Sequence, residues 1–228
     1  RLKHLCMWDW RLVSRIVHIS LPSVGETIIS RLGFMLFMLI LASLGTVALA
    51  AHQVALRVES LAYMPGWGLT MAVAALVGQA LGAGETDVAE RGIRRTLVLG
   101  NGAMAVLGAV FVGFAPAIVR LFGVQNVELA SSAATVIRIS ALELFGLCSV
   151  MILGGCLRGA GDTWTPMVVT LAGTLLFRVP ITYLFAITLR GGLRGVWLAT
   201  AVDWGMRALI MCLLYLRGGW KRVKIGEK

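Results

Sequence analysis

Apolar runs of about twenty residues recur along almost the whole chain, separated by short glycine-bearing turns, and this pattern leaves few folds open. A run of about 20 residues crosses a hydrocarbon core of about 30 Å as an α-helix. Barrel strands are excluded, because they need only about 10 residues each and alternate in polarity. Composition points the same way: 58% of the 228 residues are hydrophobic, only 14% are charged, and the mean hydropathy is +0.86. No ordinary soluble domain is so apolar. The fold class is therefore an all-α polytopic membrane protein, with six transmembrane helices expected near 18–43, 47–81, 92–116, 129–156, 164–188 and 193–216. Residues 1–17 read as a cytoplasmic interfacial linker, 18–216 as one six-helix unit, and 217–228 as a basic cytoplasmic tail.

A net charge of +10 would suggest nucleic acid in a soluble protein, but here the positions of the charges decide. With the N-terminus inside, thirteen of the 21 Lys and Arg fall in inner segments and three (Arg120, Arg190, Arg194) in outer ones. The positive-inside rule then puts both termini in the cytoplasm of a multi-pass cell-membrane protein. Basicity is topogenic in this reading, and no basic stripe with interleaved aromatics on a soluble element points to nucleic acid. Arg91, Arg94 and Arg95 hold the entry of the third span to the inner surface, where Asp87 and Glu90 form an acidic version of the capping box. The second segment is longer than a bilayer core, so it tilts, kinks or projects, and Pro65-Gly66-Trp67-Gly68 is the expected kink. The fifth is interrupted by Arg178 and Pro180.

Two inner turns echo each other: Gly82 to Thr86 reads G-A-G-E-T and Arg158 to Thr163 reads R-G-A-G-D-T. In each, glycine can end one helix in the left-handed conformation and an acid or threonine can cap the next.

Glu26, Arg31, Arg57, Glu59, Arg138, Glu143, Arg178, Asp203 and Arg207 fall inside expected spans. Each costs several kcal/mol there unless it is paired or faces water, so they mark a polar interior. Asp203 and Arg207, four apart with the acid first, form a structural pair along one helix face. Glu26 and Arg31 are five apart and do not share a face. Glu26 follows Pro22, and a proline beside an intramembrane acid supplies a kink and a proton or cation acceptor; an ion pair with a neighbouring helix is the alternative. Arg31, Gln53, Glu59, Glu143 and Arg178 are the further candidates for polar groups in a cavity. His52 reads as an interhelical hydrogen-bond partner before a proton relay. The cysteines at 6, 148, 156 and 212 lack ligand spacing, so neither a metal site nor a disulfide framework is expected. No catalytic motif of a hydrolase or metalloprotease is present, which argues against an enzyme.

The segments A-A-H-Q-V-A-L (50–56), V-G-Q-A-L-G-A-G (77–84), L-R-G-A-G-D-T-W-T-P (157–166) and R-V-P-I-T-Y (178–183) occur in this order, with L-P-S-V-G-E (21–26) before them and G-L-R-G-V-W (192–197) after. Together they resemble the C-terminal half of MATE (multidrug and toxic compound extrusion) transporters, of the bacterial and archaeal branch, over nearly the whole chain. The resemblance implies one six-helix lobe of a two-lobe secondary transporter, with an N-terminal lobe as partner, the bilayer as its surroundings and drug-like small molecules as substrates. It implies no cofactor beyond a coupling ion, Na⁺ or H⁺, with Glu26 as the residue that inherits cation coupling. Some relatives carry a coupling aspartate at the position of Leu147; Glu143 is one turn away. Two other readings stay open, a flippase for lipid-linked precursors and a non-transporting half-size membrane subunit.

Overall fold

The structure is a computed structural model and describes residues 28–222. The described residues contain helices and turns and no strand. Helix α1 covers Ile28–Ala42, α2 Thr46–Gly82, α3 Thr86–Leu121, α4 Val127–Gly159, α5 Trp164–Thr188 and α6 Gly192–Leu216, followed by a short 3₁₀ turn at Gly219–Arg222. Five of them are long and apolar enough to cross a membrane, and α1 is a shorter apolar helix where the described residues begin. The protein is multi-pass. Glu26 and the expected linker lie outside the described residues.

Two expectations about local structure are corrected. Helix α3 starts at Thr86, six residues before the apolar run, because the intervening Asp, Glu and Arg residues continue the helix into the polar interface. Its N-cap is Glu85 with no side-chain capping bond, so the Asp87–Glu90 capping box does not form; Glu90 instead accepts from Lys221 Nζ at 2.6 Å. Helix α2 runs as unbroken α-helix through Pro65. The irregular helix is α5, where Gly173–Arg178 and Leu184–Thr188 are π-helical turns on either side of Pro180. Helices α2, α3 and α4 have 37, 36 and 33 residues, or about 50–55 Å at about 1.5 Å per residue, so each projects beyond the hydrocarbon or crosses it at a tilt.

The two echoing turns have the same backbone. Gly84 and Gly161 have φ of +76° and +90°. Next to them the Glu85 amide donates to Ala80 O (2.8 Å) and the Asp162 amide to Leu157 O (2.9 Å). These are the long bonds of a Schellman ending, which satisfies carbonyls that a helix end would leave bare. Asp162 then takes up the next helix, accepting from Thr165 N at 2.9 Å and from Thr165 Oγ1 at 2.6 Å.

Helix α4 is the centre of the unit, packing against α2, α3 and α6. In its most apolar stretch 67% of residues are buried, against 28% in α2 and α3, so the lipid-facing surface belongs to the other helices. In lipid the gain comes from close packing rather than from leaving water, which favours small residues at helix contacts. Gly155 and Gly159, spaced as a G-x-x-x-G pair, bring α4 onto the backbone of α2: a Cβ on Gly155 would stand 2.6 Å from Thr70 O, and one on Gly159 would collide with Ala74 O. Gly146 does the same for α6, where a Cβ would stand 2.8 Å from Trp204 O. Gly102 of α3, by contrast, has open space around it.

Substituting Gly159 by Val therefore forces α2 and α4 apart. Overpacking of this kind costs about 1–3 kcal/mol, and Tm falls by about 2–4 °C per kcal/mol for a chain of this size. The Tm of the detergent-solubilised protein should drop accordingly for G159V and stay within a degree or so for G102A.

Candidate functional site

Helix α6 places Asp203 fully inside the unit. A carboxylate there is tolerable only if its charge and lone pairs are met, and two arginines meet them. Arg207, one turn on, donates from Nε to Asp203 Oδ1 at 2.7 Å and from Nη2 to Oδ2 at 2.9 Å. Arg178, from the π-helical turn of α5, donates from Nε to Oδ2 at 2.7 Å. Both guanidiniums lie over the Trp204 ring, 5.4 Å from its centroid for Arg178 and 5.3 Å for Arg207, a cation–π arrangement. Arg207 Nη2 also donates to Thr174 Oγ1 at 3.3 Å, and its guanidinium fits against Gly173, where any Cβ would collide with it. The pair expected along α6 is thus a three-member cluster that ties α6 to α5.

Two more acids face this cluster. Glu59 of α2 and Glu143 of α4 are buried, Glu143 completely, and their side chains approach one another; Glu59 also approaches Tyr63. Among the described residues no donor hydrogen-bonds to either oxygen of Glu143. Arg178 interacts electrostatically with both carboxyls as well as with Asp203, and its Nη2 is buried without an acceptor among the described residues. Three carboxyls and two guanidiniums leave one negative charge unmatched within the cluster if every acid is ionised. One proton or one monovalent cation makes it neutral.

A cavity of about 140 Å³ opens beside Glu59, lined by Phe34 and Phe37 of α1, His52, Leu56 and Tyr63 of α2, Arg178, and Trp197, Thr200 and Trp204 of α6. His52 sits between Phe37 and Trp197, with ring centroids 5.7 and 5.4 Å away, and neither ring nitrogen has a partner among the described residues. Residues 52, 56, 59 and 63 recur at helical spacing, so one stripe of α2 faces the cavity.

The remaining candidates lie elsewhere. Arg31 and Gln53 are exposed, as are Arg57 and Arg138. Gln53 and Arg57 start a second stripe on α2, about 100° around the helix from the first. It continues through Ser60, Met64, Trp67 and Met71, all exposed. This face does not look like one built for lipid, since it carries a charge and two other polar side chains along its first two turns.

The MatE family profile matches residues 22–184 of the chain. The chain belongs to the MatE family. Its curated relatives include the probable multidrug resistance protein NorM of Pseudomonas aeruginosa, 31% identical over 226 residues (95% of this chain, 45% of the relative), and the probable multidrug resistance protein NorM of Thermotoga maritima, 27% identical over 213 residues (93% and 46%). The multidrug resistance protein MdtK of Edwardsiella ictaluri is 30% identical over 210 residues (90% and 46%). The chain spans about half the length of these relatives. Among solved structures, a MATE protein in its bent conformation superposes with a TM-score of 0.82 at 20% identity (97% of this chain, 49% of that one). An inward-facing MATE transporter of the MOP superfamily superposes at 0.80 and 21% (96% and 51%). This MatE chain therefore has the fold of one six-helix half of such a transporter, and its family is one of transporters, not enzymes.

Sequence reasoning missed Tyr63, Thr174, Trp197, Thr200 and Trp204 of this MatE site. Trp204 could have been found, since it lies between Asp203 and Arg207. The others look like ordinary apolar or hydroxyl residues of a membrane helix until the helices are packed.

Breaking a buried ion pair by removing one partner costs about 3–5 kcal/mol because the other charge is left uncompensated. Asp203→Asn strands two guanidiniums and should lower Tm by more than any single arginine change in the cluster. The double variant D203N/R178Q should recover part of that loss in a thermal-shift double-mutant cycle, and strict additivity would mean that the two groups do not share the pair.

Proposed function

We propose that this chain is the C-terminal half of a cation-coupled exporter of drug-like small molecules, working with an N-terminal six-helix lobe. In this reading both termini are cytoplasmic, residues 1–17 link the lobes, and Na⁺ or H⁺ drives export. The observation that carries it is the buried cluster, which is one positive charge short. Taking up an ion there changes the electrostatic balance between α2, α4, α5 and α6 without requiring a new contact. Differential binding of that ion by two arrangements of the helices is what can couple it to a conformational change.

The multidrug resistance named for the relatives supports the substrate side. The exposed α2 stripe, polar at Gln53 and Arg57 and rich in Met and Trp at Met64, Trp67 and Met71, suits a cleft between two lobes. Methionine and tryptophan give a polarisable surface that accepts varied apolar cations. Arg31 at the start of α1 fits the same aqueous cleft. Glu26, outside the described residues, is proposed as a second coupling acid on the resemblance alone.

Efflux of a cationic dye from proteoliposomes holding the intact transporter tests the division of labour. Glu143→Gln should cut ion-gradient-driven efflux at least tenfold while dye binding changes little. Trp67→Ala with Met64→Ala should weaken dye binding and leave the ion dependence as it is. Unchanged ion dependence in both E143Q and E59Q would remove the buried cluster from the coupling mechanism.

A further inference from the structure

Arg91, Arg94 and Arg95 are poorly explained by the fold. They stand in the second and third turns of α3, beyond the first turn that the helix dipole acts on. All three are exposed, and none is in an ion pair among the described residues. The acids close to them are otherwise placed. Glu90 is held by Lys221 at 2.6 Å, Glu85 is the N-cap, and Asp87, four residues before Arg91, makes no ion pair with it. A general preference for cations on one side of the membrane accounts for their number, not for their convergence on one helix face.

The face continues downward as an apolar channel. The three arginines, with Val98 and Leu99, line an open groove of about 540 Å³. Val98 and Leu99 are 68% and 69% exposed, three to five residues beyond Arg94 and Arg95 and thus directly below them. Gly102, a further turn down, is exposed and offers no side chain to fill the groove. Val106, again 68% exposed, carries the apolar surface on towards the middle of the span. Cations at the water interface above an open apolar groove along a membrane helix match an amphiphile that has a phosphate at one end and hydrocarbon at the other.

We propose that Arg91, Arg94 and Arg95, with the groove below them, are a binding site for one anionic phospholipid of the adjoining leaflet. The guanidiniums present planar forks to the phosphate oxygens, a geometry that favours arginine over lysine. One acyl chain lies over Val98, Leu99, Gly102 and Val106. The site depends on the chain being a membrane protein and not on the transport reading.

Native mass spectrometry of the purified protein with phosphatidylglycerol and phosphatidylcholine added in equal amounts tests it. The wild-type protein should retain phosphatidylglycerol at least tenfold over phosphatidylcholine, and R91Q/R94Q/R95Q should bring that ratio close to one. One basic residue near an anionic headgroup is worth about a factor of five, so R94Q or R95Q alone should lower the ratio by about that factor. These single variants decide the matter if the triple variant does not purify. R91K/R94K/R95K should keep an intermediate ratio, and R120Q, at the other end of α3, should keep that of wild type. The proposal is overturned if the glutamine variants keep the wild-type ratio. It is equally overturned if 10 mM inorganic phosphate displaces phosphatidylglycerol completely, since the site would then hold a free anion and not a lipid.

Discussion

Asp203 is the residue around which the rest of the unit has to arrange itself. A carboxylate with no exposed surface, inside a helix that lipid surrounds, must be met by charge on every side that water cannot reach. Arg207 meets it from the same helix, and Arg178 meets it from a different one. The second contact is what sets the position of α5. The first of the two π-helical turns of α5 carries Gly173 against the Arg207 guanidinium and ends at Arg178, so part of the irregular backbone lies where the ion cluster is. Such turns are common where a helix must present a side chain that regular geometry would aim elsewhere.

The glycine contacts of α4 and the ion cluster serve opposite purposes in the same small volume. Gly155 and Gly159 lock α4 to α2 at backbone distance near the turn that carries Asp162, where no charge is buried. Further up the same two helices, Glu143 and Glu59 face one another, and the packing there is relieved by a cavity. Contacts between backbones have little freedom to rearrange. Contacts between long charged side chains around a cavity have more, and a change of one unit of charge is large on the scale of the interactions that hold them. Rigidity at one end of the α2–α4 pair and adjustability at the other is a division suited to a lobe that must keep its shape while its interior changes charge.

How much of this is legible in the sequence follows from which interactions are local. The helices are legible, because a length of apolar chain is a local property and the bilayer sets its scale. The endings of the twin turns are legible for the same reason, since Gly84 and Gly161 make them, whereas the acid takes up the next helix at Asp162 and not at Glu85. Asp203 with Arg207 is legible at helical spacing. The third member, Arg178, is not, since α5 and α6 are brought together by packing and the π turn shifts the direction of its side chain. Arg31, Arg57 and Arg138 show a second limit of periodicity: a charge in a span reads as paired or facing water, and these three are exposed on the surface of the unit. Periodicity identifies the face a residue occupies and leaves open whether that face meets lipid, another helix or a second lobe. The capping box failed for a local reason of a different kind, because the helix started earlier than the apolar run did.

The exposed charges carry one more step. A six-helix unit that faced lipid on all sides would have no use for Gln53 and Arg57 on the same stripe of α2, with Arg31 on α1 exposed as well. The two arginines would each cost several kcal/mol against hydrocarbon and the unpaired amide of Gln53 would cost as well, while apolar side chains at the same positions would not. The chain spans about half the length of its relatives, and the polar stripe lies next to the face of α2 that lines the buried cavity. On the proposed two-lobe reading, the α1–α2 side is the one that does not meet lipid. It is the surface where a second lobe, with water between, would stand, and only one stripe of α2 separates it from Glu59. On that proposed reading, an ion reaching the surface would pass a single helix width to arrive at the unmatched charge, so access to the cluster and the proposed substrate cleft would share the same helix.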